Sequence, residues 1–401
     1  MREHWTLDPE ITFLNHGSFG ACPRAVLDRQ SELRARLERE PVRFFVRELE
    51  PLLDEARGEV ARFTGAAPED VGFLRNATTG VNAVLRSIAL APGDELVTID
   101  HAYNACRNVL DFVAARAGAR VVVAKIPFPS DDPAQVLAAI ERALTSRTKL
   151  ALIEHVTSPT GLVLPIKAIA RALEDRGVRV LVDGAHAPGM LPLELEKLGA
   201  SWYVANFHKW TCAPKGAGML WARRDRQSDL HPAVISHGYN SQRARKRWLE
   251  EMDWTGTDDP TPWLCVPYAL RFIEQLLPGG WGAVRARNRA LVLEGRRILC
   301  EALGLEAPAP ESMIGALAAL PLPDGGGGAP LSALYADPLQ SALFDRHRIE
   351  VPVPPWPAPP KRLIRVSAFL HNTREDYLRL AAALRAELGL APAPARPARD
   401  S

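Results

Sequence analysis

Residues 178–189 read VRVLVDGAHAPG. Four of the first five side chains are apolar and three of them are valine. A short run so rich in β-branched residues is the mark of a buried strand. It ends on a carboxylate, Asp183, and leaves through a Gly-Ala-His turn. Similar runs lie on both sides: ELVTI at 95–99, RVVVAKI at 120–126, KLALIE at 149–154, SWYVAN at 201–206 and GAGMLWA at 216–222. Between them stand amphipathic stretches such as DDPAQVLAAIERALTS (131–146), with a proline near its start, and LPIKAIARALEDRG (164–177), which closes on glycine. This alternation predicts an α/β fold with a mostly parallel sheet. Ligands of such sheets sit at the carboxyl ends of the strands, so the residues following each run are the ones to read for chemistry.

Composition narrows the classes. The 401 residues are 47% hydrophobic and 24% charged, enough for one large domain and a smaller one. Balanced charge, 49 basic against 47 acidic residues, provides no field to recruit nucleic acid or an anionic membrane. Cys22, Cys106, Cys212, Cys265 and Cys300 show no CxxC spacing, which argues against a zinc knuckle or disulfide framework and fits a reducing cytoplasm as small core residues. No segment approaches the roughly 20 apolar residues of a membrane span. The expectation is a cytoplasmic protein. KGAGML (215–220) lacks the third glycine and the helix of a GxGxxG motif, which removes the main support for a nicotinamide enzyme.

After about residue 280 the texture becomes Arg/Ala/Leu-rich helix, then a flexible loop, LPLPDGGGGAPLS (320–332), and a strand emerging from VPVPPWPAPPKRLIRVS (351–367). We therefore divide the chain into a large domain at 20–280, a small α+β domain at 281–390 joined by residues 1–19, and a disordered tail at 391–401.

Three features in chain order carry chemistry. In LRNATTGVNAVL (74–85), Asn76, Ala77, Thr78 and Thr79 precede an amphipathic helix, so amides, hydroxyls and the helix dipole converge as an anion site. Asp183 ends a strand. ANFHKW (205–210) puts Lys209 directly after an apolar run, where desolvation would make its amine a nucleophile. A phosphate cradle, a carboxylate and a strand-end lysine are the parts that hold pyridoxal 5′-phosphate: donors for its phosphate, an anion for its ring nitrogen, an amine for its aldehyde. His208 could reach the phosphate.

With these residues placed, the chain resembles class V of the fold type I pyridoxal-phosphate enzymes, most of all the isopenicillin N epimerase-like group. FLNHGSFG (13–20), EPVRFF (40–45), NATTG (76–80), DHAYNA (100–105), HVTSPTG (155–161), DGAHAPG (183–189), NFHKW (206–210), PKGAG (214–218), WTGTDDP (254–260) and IRVSAFLHNT (364–373) carry the likeness over nearly the whole chain. The resemblance implies a seven-stranded, mostly parallel sheet and a homodimer. It makes Lys209 the Schiff-base lysine, puts Asp183 at the ring nitrogen, and sets His186 near the phenolic oxygen. Thr78 and Thr79, with the Ala77 backbone and His208, would hold the phosphate. Tyr103 would stack on the ring, with His101 as second choice. Ser158 stands where desulfurase relatives carry an asparagine. Thr257 would reach the phosphate of the other subunit, Arg365 would clamp a substrate carboxylate, and Asn15 and His16 would touch substrate. Alternatives remain for Tyr103 as a core aromatic and Thr257 as a turn residue; Lys215 is the rival lysine, and SQRARKRW (241–248) reads as a solvated face or as a lining of the mouth of the site.

A desulfurase needs a thiol on the loop before the strand of Arg365, and RHRIEVPVPPWPAPP (346–360) has none. Epimerisation needs proton delivery to both faces of Cα, by Lys209 and by a second acid or a water, with Tyr103, His16 and His101 as possible partners. The resemblance implies an epimerase-like enzyme of amino-acid metabolism, with a C–S β-lyase of a cysteine-derived substrate, of ergothioneine-pathway type, second and an aminotransferase third. A non-catalytic amino-acid sensor is the rival of another class. No metal is implied.

Overall fold

A computed structural model describes residues 1–130, 132–326 and 337–390. Its strands are β1 (Thr12–Phe13), β2 (Val71–Leu74), β3 (Glu95–Ile99), β4 (Arg120–Ala124), β5 (Thr148–Glu154), β6 (Arg179–Gly184), β7 (Trp202–Asn206), β8 (Gly218–Ala222), β9 (Leu317–Leu322), β10 (Ile349–Glu350) and β11 (Arg362–Ser367). Seven of them form one sheet in the order β2-β8-β7-β6-β5-β3-β4, in which β8 alone pairs antiparallel to its neighbours. Every residue of β7 and β8 is buried. That explains the unbroken apolar runs, because a sheet covered by helices on both faces has no wet side to alternate with.

Chain direction decides where the chemistry collects. β5, β6 and β7 run parallel and finish side by side, Glu154 in register with Asp183 and Gly184 with Ala205. Both Leu74 at the end of β2 and Asn206 at the end of β7 pair with Gly218. The start of the helix Ala77–Ser87 and the turn holding Lys209 therefore share one edge. Gly218 permits this closeness: a Cβ there would lie 2.8 Å from the Cα of Asn76 and 3.0 Å from the carbonyl oxygen of Ala205.

The sheet includes one strand that the apolar runs did not reveal, β2, only four residues long. β4 stops at Ala124, two residues before the run ends, where the amide of Ile126 turns aside to Asp100 Oδ1 at 2.9 Å. The expected helices are present at Ala134–Ala143 and Ile166–Glu174.

The helix Gly280–Leu303 packs against the helix Arg374–Glu387 and against β9, which pairs antiparallel with β11. The chain's first residues join this group: β1 pairs with β10, Leu14 N donates to Glu350 O at 2.9 Å, and Ser367 N donates to Leu14 O at 3.0 Å. The expected loop at 320–332 begins on β9, and its part from 327 onward, like the expected tail at 391–401, lies outside the described residues. No described helix is long and apolar enough to cross a membrane.

The basic run at 241–248 is largely the exposed face expected, and its arginines are ion-paired; it does not line the cavity described below. Arg243 pairs with Glu50 at 2.7 Å, Arg245 with Asp54 at 2.6 Å and Asp253 at 2.9 Å, and Arg247 with Glu251 at 2.5 Å. Carboxylates of the helix Leu49–Thr64 thus absorb two of its charges.

Candidate active site

At the shared strand ends lies a cavity of about 320 Å³, lined among others by Asn76, Ala77, Thr78, Tyr103, Glu154, Ser158, Asp183, His186, His208 and Lys209. Lys209 is half-buried and lines the cavity. Desolvation of the ammonium and the charge of Arg365 lower its pKa from 10.5 to about 8, against the pull of Asp183. Its Nζ lies 3.1 Å from His186 Nε2. Burial first, then the charges of Lys209, Arg365 and His208, hold the His186 imidazole neutral. The indole N–H of Trp210 donates to His186 Nδ1 at 3.4 Å, which leaves the imidazole proton on Nε2, the nitrogen that faces Lys209 Nζ.

Asp183 is 4% exposed. Its Oδ1 accepts the amide of Ala185 at 2.9 Å, and its Oδ2 accepts the thiol of Cys106 at 3.2 Å. Burial raises its pKa and these donors oppose the rise. Cys106 is more than the small core residue expected: it solvates this carboxylate. The other four cysteines are buried and unpaired.

At the helix start, Asn76 Oδ1 accepts the Thr79 amide at 2.9 Å and the Thr79 hydroxyl at 3.1 Å. Thr79 is thereby turned to its own cap and does not line the cavity. The Ala77 amide is spent on Asn206 Oδ1 at 2.9 Å, although Ala77 itself lines the wall. Thr78, whose amide has no acceptor within its own helix, remains as the facing donor, with His208, whose Nδ1 is buried without a partner.

Other expectations are corrected by packing. His16 is fully buried behind the site, stacked on Phe369 at 4.1 Å between centroids, with Nε2 at 3.0 Å from Lys209 O and Nδ1 at 3.2 Å from His371 Nε2. It supports the lysine turn from behind and does not line the cavity. Asn15 donates to Glu350 Oε1 at 3.0 Å and accepts from Ser18 Oγ, outside the cavity lining. His101 is buried between Thr160 Oγ1 at 2.8 Å and Ile126 O at 3.1 Å, so Tyr103 is the aromatic that the cavity meets. Lys215 also lines the cavity; it is an exposed residue and donates to Gly20 O at 2.9 Å. Thr257 is an exposed turn residue.

Arg365 is buried and flanks the cavity through residues that line it, donating to Ser158 O at 2.6 Å, Ser158 Oγ at 3.2 Å and Ser18 Oγ at 2.8 Å. Its Nε is buried with no partner. Glu154 and Cys106 were not singled out from sequence. The signal was present for Glu154, the one charged residue closing KLALIE, one strand away from the run that closes on Asp183.

The donor set fits pyridoxal phosphate. A buried carboxylate with neutral donors calls for a cationic partner, the helix start and His208 present unspent polar groups to an anion, and a weakly basic amine stands between them.

Residues 21–292 match the family described as Aminotransferase class-V. An isopenicillin N epimerase of Amycolatopsis lactamdurans is 39% identical over 96% of this chain and 97% of its own. A probable chloroplastic L-cysteine desulfhydrase of Arabidopsis thaliana is 32% identical over 93% of this chain and 82% of its own. The fold is also that of a C-DES mutant with glycine covalently linked to the PLP cofactor, at a TM-score of 0.78 and 21% identity, covering 96% of this chain and 98% of that one. Full-length likeness at this identity, together with the geometry at Lys209 and Asp183, carries the assignment: the chain belongs to the class-V aminotransferase family of pyridoxal-phosphate enzymes of amino-acid metabolism.

Proposed function

We propose that the protein is an epimerase-type enzyme that removes and returns the Cα proton of an amino acid in this cavity. The observation that carries the reading is that the desolvated amine of Lys209 and the phenol of Tyr103 line one cavity, while His16 and His101, the other two candidate acids, are packed elsewhere. Bound there, pyridoxal phosphate supplies an electron sink for the charge left at Cα. Asp183 would hold the ring nitrogen cationic, His186 the phenolic oxygen side, and Thr78 with His208 the phosphate. Ser158 orients Arg365, whose free Nε and planar fork suit a substrate α-carboxylate. Lys209 Nζ, partly uncharged near pH 7, can accept the proton. The Tyr103 hydroxyl, whose pKa burial raises, stays protonated and can supply one from a second direction.

A second copy of the chain fits the same reading. Phe19 and Tyr103, both at the cavity, are 65% and 47% exposed, and Val234, Ile235 and Tyr239 are also exposed. We assign to that partner the exposed Thr257, reaching the other subunit's phosphate. Five unpaired thiols suit a reducing cytoplasm.

The test is incubation of L-amino acids, D-amino acids and cysteine conjugates in deuterated buffer. Label uptake with inversion and no net consumption is expected. Pyruvate and sulfide release with retained handedness would overturn the epimerase reading for a C–S lyase, keto-acid release would make it an aminotransferase, and no exchange with any substrate would leave a sensor.

A further inference from the structure

Glu154 ends β5 opposite Asp183 at the end of β6. Residues paired in register leave a sheet on the same face, so two carboxyls stand side by side there. They are 2% and 4% exposed. Their surroundings differ. Asp183 accepts from an amide and a thiol and feels the charge of Lys209. Glu154 Oε1 accepts the Tyr103 amide at 2.7 Å and the carboxyl feels its own backbone amide, but no cation acts on it. Its Oε2 is buried with no partner, and the residue lines the cavity.

Buried carboxyls on neighbouring strand ends resist ionising together, and the one with the nearby cation is the better placed to hold the charge. We propose that Glu154 is a positioning residue at the ring-nitrogen end of the site, a neutral carboxylic acid whose Oε2 hydroxyl faces the cavity while Asp183 alone is charged. The inference rests on the reading of the cavity as the cofactor site. It assigns two tasks to one side chain: Oε1 fixes Tyr103, the cap of the helix Asn104–Ala117, and the retained proton keeps the charge facing the ring nitrogen at one.

The titratable groups packed around Glu154 are Asp183 from β6, Tyr103 at the cap of the helix and Cys106 within it. Burial pushes the Cys106 thiol and the Tyr103 phenol upward, so both stay neutral through the physiological range. Burial and the charge of Asp183 put the Glu154 carboxyl at about 8.

The experiment follows the visible absorption and circular dichroism of the bound cofactor from pH 6 to 9.5 in wild type and Glu154→Gln, whose amide is a neutral isostere. A step near pH 8 in wild type, missing in the variant, is expected on top of any step common to both. Superimposable titrations overturn the proposal. Infrared difference spectra of the cofactor-free proteins give an independent reading: a protonated-carboxyl stretch present at pH 6.5 in wild type and absent in Glu154→Gln and Glu154→Met supports it, and no such stretch overturns it. A Glu154→Gln protein that does not fold leaves the Glu154→Met comparison to decide. Loss of the cofactor reading has its own mark, a spectrum indifferent to Lys209→Ala, which the infrared result does not touch.

Discussion

Replacing Lys209 by methionine is expected to make the cofactor-free protein more stable at neutral pH. The fall in the lysine's pKa from 10.5 to about 8 means that the folded state disfavours the ammonium. At about 1.36 kcal/mol for each pH unit, the cost of the charged form is roughly 3 kcal/mol. Water in the cavity screens part of it, so a gain of about 2 to 3 kcal/mol is the working figure. The sign follows from proton binding. Between about 8 and 10.5 the unfolded chain holds a proton that the folded chain has released, so wild-type stability rises with pH across that window and the penalty is complete below it. Methionine keeps the stem and removes the charge. Urea unfolding of both proteins, stripped of cofactor, at several pH values from 7 to 10.5 reads the difference directly. The variant's advantage is expected to be largest at pH 7 and to shrink toward zero by pH 10.5. A variant less stable at pH 7, or a gap that ignores pH, refutes the reasoning.

Tyr103→Phe is expected to slow inversion by roughly 10²- to 10⁴-fold while label exchange with retained handedness continues; unchanged inversion measured by chiral chromatography removes Tyr103 from the role. Arg365→Lys loses the fork that bonds Ser158 and Ser18, so KM for the amino acid is expected to rise about 10- to 100-fold with the cofactor spectrum intact. An unaltered KM points the guanidinium elsewhere. Gly20→Ala would put a Cβ 2.1 Å from the His208 carbonyl oxygen at a φ of 69°, and thermal unfolding is expected to show a loss above about 1 kcal/mol together with weaker cofactor retention. A melting curve superimposable on wild type contradicts that contact.

Much of this was readable from the residues because the sheet is covered on both sides: its central strands are continuous apolar runs, and the groups that follow them, Asp183 and Lys209, announce the edge where they meet. The four residues of β2 escaped because so short an apolar stretch has no period of its own. Side-chain direction is where sequence reading failed. Thr79 sits in the motif that suggested a phosphate donor, yet position N3 of a helix capped by Asn76 turns its amide and hydroxyl back to the cap. His16 looked like a substrate contact until the docking of the first residues on β10 and β11 buried its ring against Phe369. Glu154 and Cys106 went unnoticed for a related reason: register and helix packing, absent from a linear reading, turn them toward Asp183.

The amide of His16 donates to the hydroxyl of Ser367 at 2.8 Å, and its ring backs the carbonyl of Lys209. During synthesis the histidine emerges early and the lysine midway, but the serine that secures the histidine is made some 350 positions later. The wall behind the lysine is thus finished only after the segment carrying Ser367 has been made and has docked, so the setting of the amine waits on a stretch of chain far beyond it.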